Sequence, residues 1–195
     1  MNAEIIIIAS WAAFLVVWGI SALFAKKDVK QKSIFWSQRG YAVRLIVIVL
    51  LVAFAIWRAH GGETSNIVIQ DAHAAAHPIM AGIGALCAVL GIGFAIWARV
   101  HLGRNWSSHP TQKEHHELVT SGPYRVVRHP IYTGMLLAII GSGLASGWWW
   151  SIPFIFATVV FVRRVYKEEQ IMTNLFPDTY PAYKKRTWAL IPYVW

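Results

Sequence analysis

Residues 116–132 read H-E-L-V-T-S-G-P-Y-R-V-V-R-H-P-I-Y. They carry a Gly122-Pro123 turn and a His129-Pro130 break, placed immediately before an apolar run that begins at Ile131. That run, 131–162, is 32 residues long and is interrupted by Gly141, Gly143, Gly147 and Pro153. One helix of this length would extend ~48 Å, well beyond the ~30 Å hydrocarbon core of a bilayer. A hairpin of two short helices fits better, turning near G-L-A-S-G-W-W-W, whose three tryptophans are placed like an interfacial belt.

Working outward, the composition points to membrane. Of 195 residues 56% are hydrophobic and only 14% charged, which is wrong for an ordinary soluble domain. Residues 5–24 are twenty in a row without a charge, enough to span as a helix. Glu4 stands before them with no Lys or Arg, and no small-x-small site follows, so they read as a retained helix and not a cleaved signal. A second span is expected over about 41–57, with Arg44 snorkelling at its start and Trp57 at the far interface. Ile34, Phe35 and Trp36 before it read as an interfacial foot. Pro78 suits the first turn of a third helix, running to about Trp97 and rich in small residues that permit close packing in lipid. With the hairpin this makes an all-α integral membrane protein of five transmembrane segments.

The net charge of +9 is explained by topology. If the spans alternate, seventeen of the eighteen Lys and Arg residues fall on one side and only Arg58 opposite, so by the positive-inside bias that side is cytoplasmic. The expected placement is a multi-pass protein of a bacterial inner membrane, amino terminus outside and carboxyl terminus inside, with no nucleic acid as partner. Cys87, alone and mid-helix, reads as core packing.

The chain therefore divides at 98/99. Residues 1–98 hold three spans; 99–195 hold a polar loop (99–130), the hairpin (131–162) and a C-terminal segment (163–195). That last segment opens R-R-V-Y-K-E-E-Q and shows Ile171, Leu175 and Phe176 as an amphipathic helical stripe, limited by Pro177 and Pro181. The final W-A-L-I-P-Y-V-W is aromatic enough to lie on the membrane surface. Topology brings the loop, the basic start of the last segment and Glu168-Glu169 to one face. The glutamates are either a solvated ion-pair patch or part of a site. No metal is expected, because His109, His115, His116 and His129 lack helical ligand spacing, and the pair with such spacing, His73 and His77, lies in the outside loop. A sulfonium-carrying adenosyl cofactor needs a carboxylate for its ammonium, a cation or free N–H for its carboxylate, an apolar slot for adenine and aromatic faces for the sulfonium. Glu168, Arg128, His129, Tyr124, Tyr132 and the Leu118-Val119 backbone could provide these together.

Four blocks, L-G-R-N-W-S, H-E-L-V-T-S-G-P-Y-R-V-V-R-H-P-I-Y-T-G, R-R-V-Y-K-E-E and L-F-P-D-T-Y-P-A-Y, resemble the isoprenylcysteine carboxyl methyltransferase family, integral membrane enzymes related to the phospholipid N-methyltransferases. They cover roughly the C-terminal half. The resemblance implies S-adenosyl-L-methionine as cofactor, in a cytosol-facing pocket contacted by His116, Glu117, Leu118, Val119, Tyr124, His129, Pro130, Ile131, Tyr132 and Glu168. His109 falls where the family contributes another contact but is not the expected residue type, and Arg128 belongs to the motif either as a contact or as the residue that orients the loop. Arg164 matches an arginine on the acceptor side. The implied activity is methyl transfer to a carboxylate or amine of a lipophilic acceptor entering from the bilayer, prenylated cysteine or another lipid. Arg164 would hold a carboxylate, whereas an amine would need a proton relay such as Glu169 or a tyrosine. Two readings from other classes stand beside it: an NADPH-dependent reductase of the sterol-reductase type, and a membrane docking protein without catalysis.

Overall fold

A computed structural model describes residues 3–23, 77–103, 117–146 and 151–195, all within one compact unit. The expected second span and interfacial foot, and the candidate residues His109 and His116, lie outside the described residues. Five α-helices are described: α1 (Ala3–Leu23), α2 (Pro78–Leu102), α3 (Pro130–Ser146), α4 (Ser151–Leu175) and α5 (Tyr180–Arg186), with a 3-10 turn at Gly122–Arg125 between α2 and α3. Among the described residues there is no strand, only an isolated parallel bridge between Val127 and Trp188.

Helices α1 and α2 are each long and apolar enough to cross a membrane. Their outward faces are apolar too. Ile5, Ile8, Leu15, Val16 and Ile20 on α1, and Ile83, Leu86, Leu90, Trp97 and Val100 on α2, are all exposed. A soluble helix is apolar on one stripe only, so helices apolar all round belong in lipid.

Within lipid, apolar surface gives helices little reason to associate, and close backbone contact takes over. Gly84 and Gly91 on α2 face Gly141 and Gly134 on α3, at a spacing of seven on each antiparallel helix. A Cβ at Gly84 would stand 2.5 Å from the Gly141 carbonyl oxygen, and one at Gly91 the same distance from that of Gly134. Buried Ala85, Ala88, Ala95, Ala138 and Ala145 fill the seam, and Ile7 and Phe14 of α1 pack over it. Trp11 donates its indole N–H to Ser142 Oγ (3.1 Å), which donates onward to the Ala138 carbonyl (2.8 Å), so the buried hydroxyl is satisfied.

Two boundaries differ from expectation. Helix α2 does not stop at Trp97 but runs to Leu102, ending where Gly103 takes a positive φ of 56°. Arg99, assigned to the polar loop, is thereby a buried helical residue. Its guanidinium donates to the Ser21 carbonyl (2.7 Å) and the Gly103 carbonyl (2.9 Å), capping the C-terminal ends of α1 and α2. Helix α4 likewise does not end with the apolar run at 162. Residues 163–175 contain neither Gly nor Pro, and the helix continues unbroken to Leu175, just before Pro177. Pro181 is no terminator either; it sits in the first turn of α5, where its missing N–H costs nothing. The α3–α4 core, Leu136, Phe161 and Val165, is closed by Ala189 and Leu190 from the last segment. Part of the aromatic C-terminal stretch is thus interior and not surface.

Because the atoms crowding Gly91 and Gly134 are backbone, Gly91→Ala or Gly134→Ala should cost about 1–3 kcal/mol of stability. Gly82→Ala and Gly93→Ala, where nothing lies within 4 Å, should be neutral or slightly stabilising. Thermal unfolding in detergent compares the four; equal midpoints would show that the seam is not closely packed.

Candidate functional site

The His-Pro loop is held in place by chain far away in sequence. Arg128 N–H donates to the Trp188 carbonyl (2.8 Å), Trp188 N–H to the Val126 carbonyl (3.1 Å) and His129 N–H to the Ala189 carbonyl (3.1 Å). Thr133, one turn into α3, donates its hydroxyl to the Leu190 carbonyl (2.7 Å). On the other flank Tyr183 Oη donates to the Tyr124 carbonyl (2.6 Å), and Tyr124 packs with Ala98, Ile131 and Val119.

Onto this fixed loop α4 delivers two consecutive carboxylates. Successive helical residues point about 100° apart, so Glu168 and Glu169 can reach one object from two sides. The object is His129. Its Nδ1 lies 3.3 Å from Glu168 Oε2, and its Nε2 lies 3.7 Å from Glu169 Oε1. Glu168 also accepts from Tyr132 Oη (2.6 Å) and from the Arg164 guanidinium (3.3 Å) one helical turn earlier. Glu169 is held by Arg128 Nε (2.7 Å) and Lys184 Nζ (2.5 Å). The Arg128 guanidinium donates further to the Lys184 carbonyl (3.1 Å) and the Thr187 carbonyl. Above the carboxylates runs an aromatic stack, His129 on Tyr132 (centroids 5.8 Å) and Tyr132 on Phe161 (4.7 Å), with the Arg164 guanidinium carbon 5.6 Å from the Tyr132 ring centre.

This arrangement settles the charges. Burial alone would push the Glu169 carboxyl up, but His129, Lys184 and Arg128 outweigh it and hold the group down at about 2. Burial opposes ionisation of Glu168 as well, yet His129, Arg164 and the Tyr132 hydroxyl keep it below the ordinary carboxylate range. For His129 burial works against the charged ring, and the two glutamates prevail and raise it above the ordinary 6.5. Burial raises the Tyr124 phenol and pushes Tyr183 up to about 12.

Of the residues singled out from sequence, the fold brings together Arg128, His129, Tyr132, Arg164, Glu168 and Glu169. Pro130 and Ile131 are buried in the first turn of α3, and Val119 and Tyr124 form the apolar wall beside them. Glu117 is exposed and Leu118 half-buried on the approach to the turn. Sequence reasoning missed Lys184, Thr187 and Tyr183. They follow or fall within the L-F-P-D-T-Y-P-A-Y block; apart from the Lys184 ammonium, which meets Glu169, the partners of these groups lie 56 to 59 residues away.

Two outcomes follow from the pairing. Arg128 and Glu169 have side chains only 7% and 9% exposed, so Arg128→Ala should cost roughly 3–5 kcal/mol by leaving a buried carboxylate short of its partner. Against pH, a raised His129 contributes stability that is complete below 6.5 and lost as pH rises through its folded value. The lowered glutamates contribute above 4.5, and Glu169's share is lost as pH falls toward about 2. The thermal midpoint in detergent should therefore be level between these limits and fall on the alkaline side, and His129→Gln should remove that alkaline fall. A wild-type midpoint unchanged up to pH 9 would contradict the sandwiched charge.

With the geometry established, comparison with known proteins gives it a family. Residues 79–179, which take in α2, α3, α4 and the whole carboxylate cluster apart from Lys184, match the model of the phospholipid methyltransferase family. The chain is 33% identical over 126 residues to protein-S-isoprenylcysteine O-methyltransferase of Dictyostelium discoideum, covering 56% of this chain and 48% of the relative. It is 31% identical over 110 residues to the cobalt-zinc-cadmium resistance protein CzcN of Cupriavidus metallidurans, covering 53% and 47%. The chain thus spans about half the length of these curated relatives. Its fold is similar to the solved eukaryotic intramembrane Ras methyltransferase, an isoprenylcysteine carboxyl methyltransferase, with a TM-score of 0.55 at 24% identity over 67% of this chain and 50% of that one. The resemblance read from the four blocks is borne out. A family match across more than half of the chain, on helices that present apolar faces to lipid, makes this protein a member of the phospholipid methyltransferase family of membrane methyltransferases.

Proposed function

We propose that the protein transfers a methyl group from S-adenosyl-L-methionine to a carboxylate of a lipophilic acceptor that reaches the site from the bilayer, within a catalytic half formed by 99–195. The observation that carries this reading is the constellation of Glu168, His129, Tyr132 and Arg164, which sets an ionised carboxylate, a donor and an aromatic face at the start of α3 beside the lipid-facing α4.

The residues present fit the cofactor. Glu168, at 22% side-chain exposure against 9% for Glu169, is the more open carboxylate and suits an ammonium group. His129 Nε2 is buried 3.7 Å from Glu169 Oε1, so the ring fixes the carboxylate pair from within and holds Glu168 in place for the ammonium. The Tyr132 face already attracts one cation, Arg164, and suits a sulfonium in the same way. The Leu118-Val119 backbone, Tyr124, Pro130 and Ile131 would line the adenosine side, with Glu117, His116 and His109 in the roles the resemblance implies. When bound, S-adenosylmethionine supplies a methyl group activated on a positively charged sulfur.

Proton accounting favours a carboxylate over an amine. Glu169, considered as a relay for an amine, is tied to Arg128 and Lys184 and held down at about 2, which makes it a counter-ion and a poor base. Glu168 is held below the ordinary carboxylate range among three partners, while the two glutamates raise the His129 ring and burial raises the Tyr124 phenol, so none of the three is an evident base for an amine. A carboxylate acceptor arrives already nucleophilic and needs only to be held, which is the role of Arg164, and rate then comes from positioning. Arg128, engaged by three protein groups, orients the loop. If the spans alternate as the sequence leads one to expect, seventeen of the eighteen basic residues fall on the side of the site, and the positive-inside bias makes that side cytoplasmic.

Binding isotherms on the purified protein test the reading. S-adenosylmethionine should bind saturably and NADPH should not, and Glu168→Gln should weaken binding by about ten-fold or more. NADPH binding in its place would favour a reductase, and binding of neither to folded protein would favour a docking role; both outcomes overturn the proposal.

A further inference from the structure

The last eight residues do two things at once. Their backbone clamps the His-Pro loop through Trp188, Ala189 and Leu190, while beyond Leu190 the chain turns outward. Val194 and Trp195 N–H both donate to the Ile191 carbonyl (3.1 and 3.0 Å), and Leu190 and Ile191 N–H donate to the Trp195 carbonyl (2.9 and 3.0 Å). Four backbone hydrogen bonds in so short a stretch make a closed turn. Tyr193 holds a positive φ of 66° within it, a conformation that a side chain bearing a Cβ adopts only when its surroundings enforce it. What the turn presents is apolar and aromatic: Ile191, Tyr193 (87% exposed), Val194 and Trp195.

The turn stands beside α4. Trp195 packs on Tyr166 with ring centroids 5.8 Å apart. Arg163, Tyr166, Lys167 and Gln170 follow the i, i+3, i+4, i+7 spacing of one helical face, and all are exposed. Towards its N-terminal end the same helix exposes the large apolar residues Ile155, Phe156 (71%) and Val159, a surface suited to lipid. The apolar run ends at Val162, and at 1.5 Å per residue Tyr166 lies only ~6 Å farther along the axis. That is the thickness of one headgroup layer, roughly 5–7 Å, counted from the end of the apolar run. Aromatic rings with basic neighbours at this depth have the composition of a surface that meets anionic headgroups.

We propose that the 191–195 turn, together with Tyr166, Arg163 and Lys167, docks on the anionic headgroup layer of the membrane on the side of the carboxylate cluster. Because the same segment clamps His129 and Thr133, lipid engagement holds the His-Pro loop in register. Anionic lipid is then a structural partner of the site, and the proposal does not depend on which reaction the site performs.

The test uses the full-length chain in nanodiscs, with an environment-sensitive fluorophore at Val194→Cys in a Cys87→Ala background and a reference label at Lys185→Cys. Discs are made of phosphatidylcholine alone or with phosphatidylglycerol added. Lipid-borne quencher should reach the label at 194 more than aqueous iodide does, and phosphatidylglycerol should increase that preference. Arg163→Gln with Lys167→Gln should remove the increase, by about five-fold for each cation lost. If iodide reaches 194 as freely as 185 in both lipids, or if lipid contact at 194 is indifferent to phosphatidylglycerol, the proposal is overturned.

Discussion

Two carboxylates, one residue apart on a helix, both directed at one buried imidazole: the rest of this structure serves that constraint. A buried glutamate pair would repel, and each member would be costly without a cation. His129 between them, Arg164 on one and Arg128 with Lys184 on the other turn the repulsion into a balanced network. The two halves of the network differ in kind. Glu169 faces inward and ties the loop to α5, whereas Glu168 faces the more open side with the Tyr132 ring and Arg164. One carboxylate is thus enclosed by protein groups and the other is the more open of the two.

The remaining architecture fixes the positions of these groups. Helix α3 must start where Tyr132 meets Glu168, and its lateral position is set by the glycine seam with α2, where backbones touch with no side chain between them. Arg99 joins the ends of α1 and α2, one turn from Leu102 and against the Trp18 ring. Helix α4 is continuous from the exposed, apolar Ile155 to Glu169, so the distance of the carboxylates from the apolar end of the helix is fixed by the helical rise. A break at 162 would have separated the carboxylates from the apolar part of the helix; the unbroken helix makes one rigid rod of both.

Much of this was legible in the sequence, for identifiable reasons. Apolar runs and charge placement gave the first and third spans and the helical pair after Pro130, because bilayer thickness is a length constraint that residues must satisfy one by one. Glu168, Glu169, His129, Tyr132 and Arg164 were found because topology and motif order both brought them to one face. The boundaries at 97 and 162 were drawn where apolarity ends, but helix hydrogen bonds are indifferent to that border, and Arg99 and Arg163 to Leu175 stayed helical across it. Thr187 and the clamp by Trp188, Ala189 and Leu190 left no signal, since a backbone carbonyl imposes nothing on the residue type that carries it; Lys184 was missed because its ammonium meets Glu169 only once α5 folds back beside α4.

The most direct measurement is transfer of radiolabelled methyl from S-adenosylmethionine in membranes containing the protein, followed by lipid extraction and mild alkali. Esterification of a lipophilic carboxylate predicts label in the organic phase that alkali releases as methanol, and its absence with Glu168→Gln. No cofactor-dependent label in any fraction, or only label that withstands alkali as an N-methyl group does, would contradict it.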